Sequence, residues 1–427
     1  MITMKSLFEK EEKETAIRQL KVNLISRFYA FAKDEVLTYK SVLNFDRYHL
    51  MNNDTIQWDM DLLDSLSEKV DWSALWKIKN IKLDLSFFKK YDSKIDFSSI
   101  HLSKNIEWSD RLLLEYGDRF DWSRSLITKE PLSTIENLRK HKAKLDWSLV
   151  SQRISIEFTE SILEEFSDKW DWKNLSANEH LPLSVEFIEK HAEQLDFDVL
   201  SQNPKAIGLI YKYPAFKKWN WAEVILNPAV NYSKDSFDFL YSQYRRQYET
   251  KEFTNTLLKK MALPSFLSRV LSRQRNDISY FLRDDFKEYL PWENLGKFCN
   301  TKFTLNFIEE NKNNLNFKES EFIRNNCDVF SIDFIEDNID LFNPTHDSFY
   351  YLPLTINLLS KLNNKVNWNS LSSSKKLDWS WEFIDIKFDK FNFFRLSENK
   401  GLYEQVILNK MTKKEIFEYL DSVFSKI

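Results

Sequence analysis

A chain of 427 residues has room for two or three conventional domains, yet only four of its residues are glycine, while Phe, Tyr and Trp make up 15%. So little glycine excludes a fold dense in tight hairpins or phosphate-cradling loops, and so much aromatic surface excludes a disordered chain despite 30% charged residues. With 61 basic against 65 acidic side chains the net charge is -4, which leaves no overall positive field for a nucleic-acid backbone or an anionic membrane.

The first 21 residues are dominated by Lys and Glu and lack the apolar core of a signal peptide. No run anywhere approaches the roughly 18 uncharged apolar residues of a membrane span, and the reading is a soluble, cytoplasmic protein. Phe8, Ile17, Leu20 and Leu24 follow helical spacing, which predicts a capping helix within residues 1–43.

From residue 44 a repeat takes over. Asp71-Trp72, Asp96-Phe97, Asp121-Trp122, Asp146-Trp147, Asp171-Trp172 and Asp196-Phe197 follow one another in steps of 25 residues, with Asn220-Trp221 after 24 and a looser copy at Asn44-Phe45. Thirteen residues after each Asp stands a short side-chain oxygen, as in Asp84, Ser109, Thr134, Thr159 and Ser184, with Asp59 one unit earlier. Such residues accept a hydrogen bond from the free amides of a helix's first turn. An apolar pair follows one turn later, as Phe87/Phe88, Ile162/Leu163 and Phe187/Ile188. The Asp of the pair is itself a natural cap, with Leu75, Ile100, Val150, Leu175 and Leu200 four residues beyond it. Each unit in 44–220 therefore reads as two helices, the first of two turns and the second of three, with the Trp or Phe ring filling the seam between successive helices.

Within 221–290 the register is lost and the charge turns basic, with ten basic against six acidic side chains between residues 241 and 290. Arg245, Arg246, Arg269, Arg273 and Arg275 with Tyr244 and Tyr248 are the candidate contacts for a partner or an anion, because arginine beside tyrosine suits phosphate bonding and base stacking. The plainer reading is a kinked or widened part of the solenoid with a solvated basic face. The pattern returns in 291–427 at Pro291-Trp292, Asn316-Phe317, Leu341-Phe342, Asn367-Trp368 and Asn392-Phe393, with Thr304 and Ser380 as second caps, and a helix near Lys413 to Phe424 closes that end.

No motif carries chemistry. The six histidines show no metal-binding helical spacing, Cys299 and Cys327 form no C-x-x-C pair, and four isolated glycines support no phosphate loop or nucleophile elbow. The expectation is a chain that is not an enzyme and needs no cofactor or metal.

The runs Asp171-Trp-Lys-Asn-Leu-Ser-Ala-Asn178 and Asp196-Phe-Asp-Val-Leu-Ser-Gln-Asn203 resemble the D-W-x-x-L-S-x-N tandem repeats of uncharacterised bacterial and large-virus proteins, over most of residues 44–221 and 291–400. The resemblance implies an all-α fold, expected as a right-handed α-solenoid of helical hairpins about 25 residues long, and carries no catalytic residues. The functional expectation is a non-enzymatic scaffold binding a protein or peptide on its extended surface. The alternative is a nucleic-acid-binding protein, of a bacterial or phage conflict system, acting through residues 241–290.

Overall fold

The computed structural model describes residues 4–425 apart from 124, 130–131, 217, 250–255, 273–278, 293–294, 296–301 and 363–364. Among the described residues the chain is mostly helical and forms no strand, only an isolated parallel bridge between Leu83 and Ile106. It divides into two compact units, one of residues Met1–Asp121 with Phe330–Ile427, the other of residues Trp122–Val329. Among the described residues no helix is long and apolar enough to cross a membrane.

Capping sets the helix starts. The carboxylates of Asp71, Asp96, Asp146, Asp171 and Asp196 accept amide hydrogens two or three residues on, and Asn220, Asn367 and Asn392 do the same through their amide oxygens. The second set works alike, with Asp84 taking the Phe87 amide, Ser109 that of Leu112, Thr159 that of Ile162 and Ser184 that of Phe187. The helices behind these second caps, such as Asp110–Tyr116 and Val185–Lys190, run about two turns rather than the expected three. The first unit is registered on Asp46, 25 residues before Asp71, which takes the Tyr48 and His49 amides. Asn44 Oδ1 accepts the amide of Asp46, two residues on.

These caps tie stability to pH. Hydrogen bonds from the Ser98 and Ser99 hydroxyls hold the Asp96 carboxyl below its ordinary range, and those from the Ser86 hydroxyl and the Phe87 amide do so for Asp84. A carboxyl depressed in the folded state stabilises the fold above its unfolded pKa of about 3.9 and loses that contribution as pH falls through the folded value. Melting temperature should therefore hold level above roughly pH 5 and fall below roughly pH 4, and Asp96→Asn should flatten the acid limb. An unchanged acid limb in that variant would show that its carboxylate contributes nothing.

The pair aromatic fills the seam between units only in part, as where Phe97 meets Phe88 at 6.0 Å, Phe342 meets Phe330 at 5.6 Å and Phe393 meets Phe388 at 4.8 Å. It packs inside its own unit on the aromatic residue 19 positions later, as Trp72 on Tyr91 at 5.0 Å, Phe97 on Tyr116 at 5.6 Å, Trp122 on His141 at 3.7 Å, Trp147 on Phe166 at 5.2 Å and Trp172 on His191 at 5.0 Å. Trp72 and Trp147 also donate their indole N–H to the carbonyls of Ser67 and Lys142, closing the turn just before the pair. That bond needs an indole at the edge of the core, and Trp72, Trp147 and Trp172 are only half-buried, whereas Trp122 is enclosed. Trp122→Ala is expected to cost about 3–5 kcal/mol in denaturant melts and Trp172→Ala about half as much.

What joins one unit to the next is the buried residue four after the cap, with Leu75, Ile100, Val150, Leu175, Leu200 and Leu396 all fully enclosed, and beside it a ladder of hydrogen bonds. Ser151, Ser176 and Ser201 each accept, on Oγ, the backbone amide of the next unit's cap, Asp171, Asp196 and Asn220, at 3.0–3.1 Å. Asn178, Asn203 and Asn227 reach back the other way. Asn203 Nδ2 donates to the carbonyls of Ser176 at 3.0 Å and Asn178 at 3.1 Å, and Asn227 Nδ2 to those of Ser201 at 3.0 Å and Asn203 at 2.8 Å. Their Oδ1 atoms accept the amides two residues on. In these rungs the serine Oγ and both ends of the asparagine amide are matched, which is the condition for burying them cheaply, whereas the buried Ser374 hydroxyl, at the asparagine position of a later unit, has no partner among the described residues. The serine and asparagine of the L-S-x-N signature thus bind neighbouring units together, beyond the polar connection expected of them.

The two chain ends were expected to be capped separately. Instead they meet inside the first unit. Helix Met4–Phe28 packs on helix Phe393–Ser397 and on Lys400–Tyr403, and also on the first repeat turn at Leu50–Asn52. Ser26 occupies the ladder position, its Oγ accepting the Asn44 amide while its carbonyl accepts from Asn53 Nδ2. Ser397, the last ladder serine, lies 2.9 Å from Nε2 of buried His49. Tyr39 donates to Asp421 at 3.1 Å and stacks on Phe417, and Tyr419 donates to the Arg18 carbonyl. Gly401 is required for its lack of a side chain, because a Cβ there would lie 2.3 Å from the Lys375 carbonyl oxygen.

Candidate functional site

The basic centre is built on two helices much longer than those of the repeat, Lys234–Glu249 and Thr256–Ser272. Phe237, Leu240 and Tyr244 share one helical face and all are buried, so Tyr244 is a core residue and not a surface contact. Its ring meets the edge of Phe266 at 5.4 Å and its hydroxyl lies 3.3 Å from Ser265 Oγ. Phe237, Phe266, Phe281 and Phe286 pack with Tyr241 and Tyr280 into an aromatic core. Arg269 is also occupied, donating from Nε to the Ala222 carbonyl at 2.8 Å and pairing with Glu223. Arg245 and Arg246 are exposed. Arg273 and Arg275 lie outside the described residues, as does Cys299, and for Tyr248 only the backbone is described. The structure therefore leaves two of the candidate residues on the surface and puts Tyr244 and Arg269 to structural use. The i, i+3, i+7 spacing of Phe237, Leu240 and Tyr244 was the available signal for that burial.

A different site emerges where a cap is missing. Thirteen residues after Asp196 stands Leu209, which has no oxygen to cap with. Asn203 instead starts a short turn at Pro204–Ala206 that runs into helix Ile207–Lys212, three residues ahead of the repeat's register. Pro214 lacks an amide hydrogen, so the helix stops at Lys212 and the chain swings away. An open cleft of about 340 Å³ remains between this segment and helix Val185–Lys190. Val185, Ile188, Leu209, Pro214, Phe216 and Trp219 line it, and Glu189 and Lys212 stand at its rim. Tyr211 and Tyr213 are each 39% exposed nearby, in a molecule whose aromatics are mostly covered. The absent cap at Leu209 and the Tyr213-Pro214 break were visible in the sequence, though neither indicates a cavity without the neighbouring helix.

The cleft is apolar, preformed and edged by charge, an arrangement that holds an apolar group and orients it through its polar surroundings. Nothing in it resembles an acid–base pair. Among the described residues no group of three His, Cys, Asp or Glu side chains is placed to hold a metal ion. No family model matches the chain, and no curated protein and no solved structure matches it either.

Proposed function

We propose that the chain is a right-handed α-solenoid of 25-residue helical hairpins serving as a non-enzymatic scaffold, and that it holds a protein or peptide partner at the cleft between Val185–Lys190 and Ile207–Lys212. The observation that carries this reading is the cleft itself, an exposed apolar cavity opened by a local departure from an otherwise repeated construction. The serine and asparagine ladder supports it by holding the cleft walls in register, so that a partner meets a formed surface and spends little binding energy ordering it.

Selection of a displayed random-peptide library on the full chain tests the reading. Recovered peptides should lose at least about tenfold in affinity for Leu209→Asp, the loss expected when a central apolar contact is removed. Peptides indifferent to that variant would overturn it. The nucleic-acid alternative now rests on Arg245 and Arg246 alone among the described candidates. It requires single-strand binding that falls steeply with salt and disappears on reversing those two charges.

A further inference from the structure

Three ion pairs between second helices of successive units share one register, which lapses where the sequence has Leu114 and Lys140 and where Lys190 pairs with Glu160 instead of Glu164. The residue 18 after one cap pairs with the residue 19 after the next. Asp64 meets Lys90, Lys89 meets Glu115 at 2.9 Å, and Arg139 meets Glu165 through two bonds of 2.7 Å. Carried forward, the register places Glu189 opposite position 215, where the chain has Ala215. Both residues line the cleft. Glu189 is exposed and has no side-chain partner among the described residues, while Lys212 across the rim lies over the Tyr213 ring at 5.2 Å and forms no ion pair among them. At Glu189 the register therefore offers no cation from within the chain, and an apolar cleft opens beside it.

We infer that the cleft takes a peptide segment presenting a large apolar side chain with a lysine or arginine beside it, an inference resting on the peptide-binding reading above. The apolar group covers Leu209, Phe216 and Trp219, and the cation completes the rung with Glu189. A purely apolar occupant would draw water away from Glu189 and return nothing for it. An acidic one would set like charges together.

The test uses peptides recovered from the displayed library, remade synthetically, and titrated by fluorescence anisotropy against the full chain and two surface variants. Lysine or arginine should recur within four positions of a large apolar residue. Glu189→Lys should weaken binding about fivefold or more, the upper range for a partly exposed ion pair. Ala215→Lys should weaken it as well, because it supplies the missing rung from within the chain. Selection on Glu189→Lys should instead recover acidic peptides. If binding falls with Leu209→Asp but ignores Glu189→Lys and Ala215→Lys, the cation requirement is wrong and the peptide-binding reading stands. If no recovered peptide depends on Leu209, both fail.

Discussion

Replacing Asn203 by leucine is expected to lower the free energy of unfolding by about 3–5 kcal/mol, among the largest effects of any single substitution here. Leucine has the same branching and number of heavy atoms as asparagine and is somewhat bulkier, so no cavity is left and the loss is chiefly one of hydrogen bonds. Three backbone groups would be stranded in the seam, namely the carbonyls of Ser176 and Asn178 and the amide of Lys205. Each buried orphan costs roughly 1–3 kcal/mol, and Asn203 stands between the Asn178 and Asn227 rungs, so no water can readily replace it. Lys205→Ala, exposed on the same turn, should stay within about 0.5 kcal/mol. Equilibrium denaturation decides the matter, and an Asn203→Leu cost below about 1 kcal/mol would mean that the ladder is ornamental.

Deleting residues 1–28 should have the greater effect of the two. Leu20, Val22, Leu24 and Ile25 are at most 2% exposed, and burying four such side chains contributes roughly 6–12 kcal/mol before entropy is counted. That is comparable to the whole net stability of a typical domain. The deletion also removes the Ser26 rung and, with it, one of the two carbonyl partners of Asn53. Hydrogen exchange should then speed up by orders of magnitude at 50–53 and 393–403, which face the lost helix, while 147–227 in the other unit keep their protection. Unchanged protection at 393–403 would show that the contact between the chain ends adds little.

How far the sequence could be read depends on the range of each interaction. Caps at Asp71, Asp84 or Ser184 satisfy amides two or three residues away, so their spacing alone announces them. The partners of Ser176 and Asn203 lie 20 to 27 residues off, so their polar side chains pass for a loop until the neighbouring unit is in place. The pair aromatic misleads for a related reason. Its period identifies a packing position, but the choice between seam and hairpin depends on the ring at position 19, such as Tyr91 or His191. In the basic centre, Tyr244 was read by its arginine neighbours in sequence, while the helix turned it toward Phe266. The cleft was legible only as a missing cap.

The meeting of helix Met4–Phe28 with Phe393–Ser397 also sets a timetable for biosynthesis. At about 5–20 residues per second, some 20–70 s separate the emergence of the first partner from that of the second. Throughout that interval the helix face destined for the last repeats has no complement, and chain closure over such a distance is intrinsically slow. The nascent protein thus passes through a long stage with a greasy, unsatisfied leading edge. Its yield in a cell should be governed by the holdases that shelter that edge at least as much as by the stability of the finished fold.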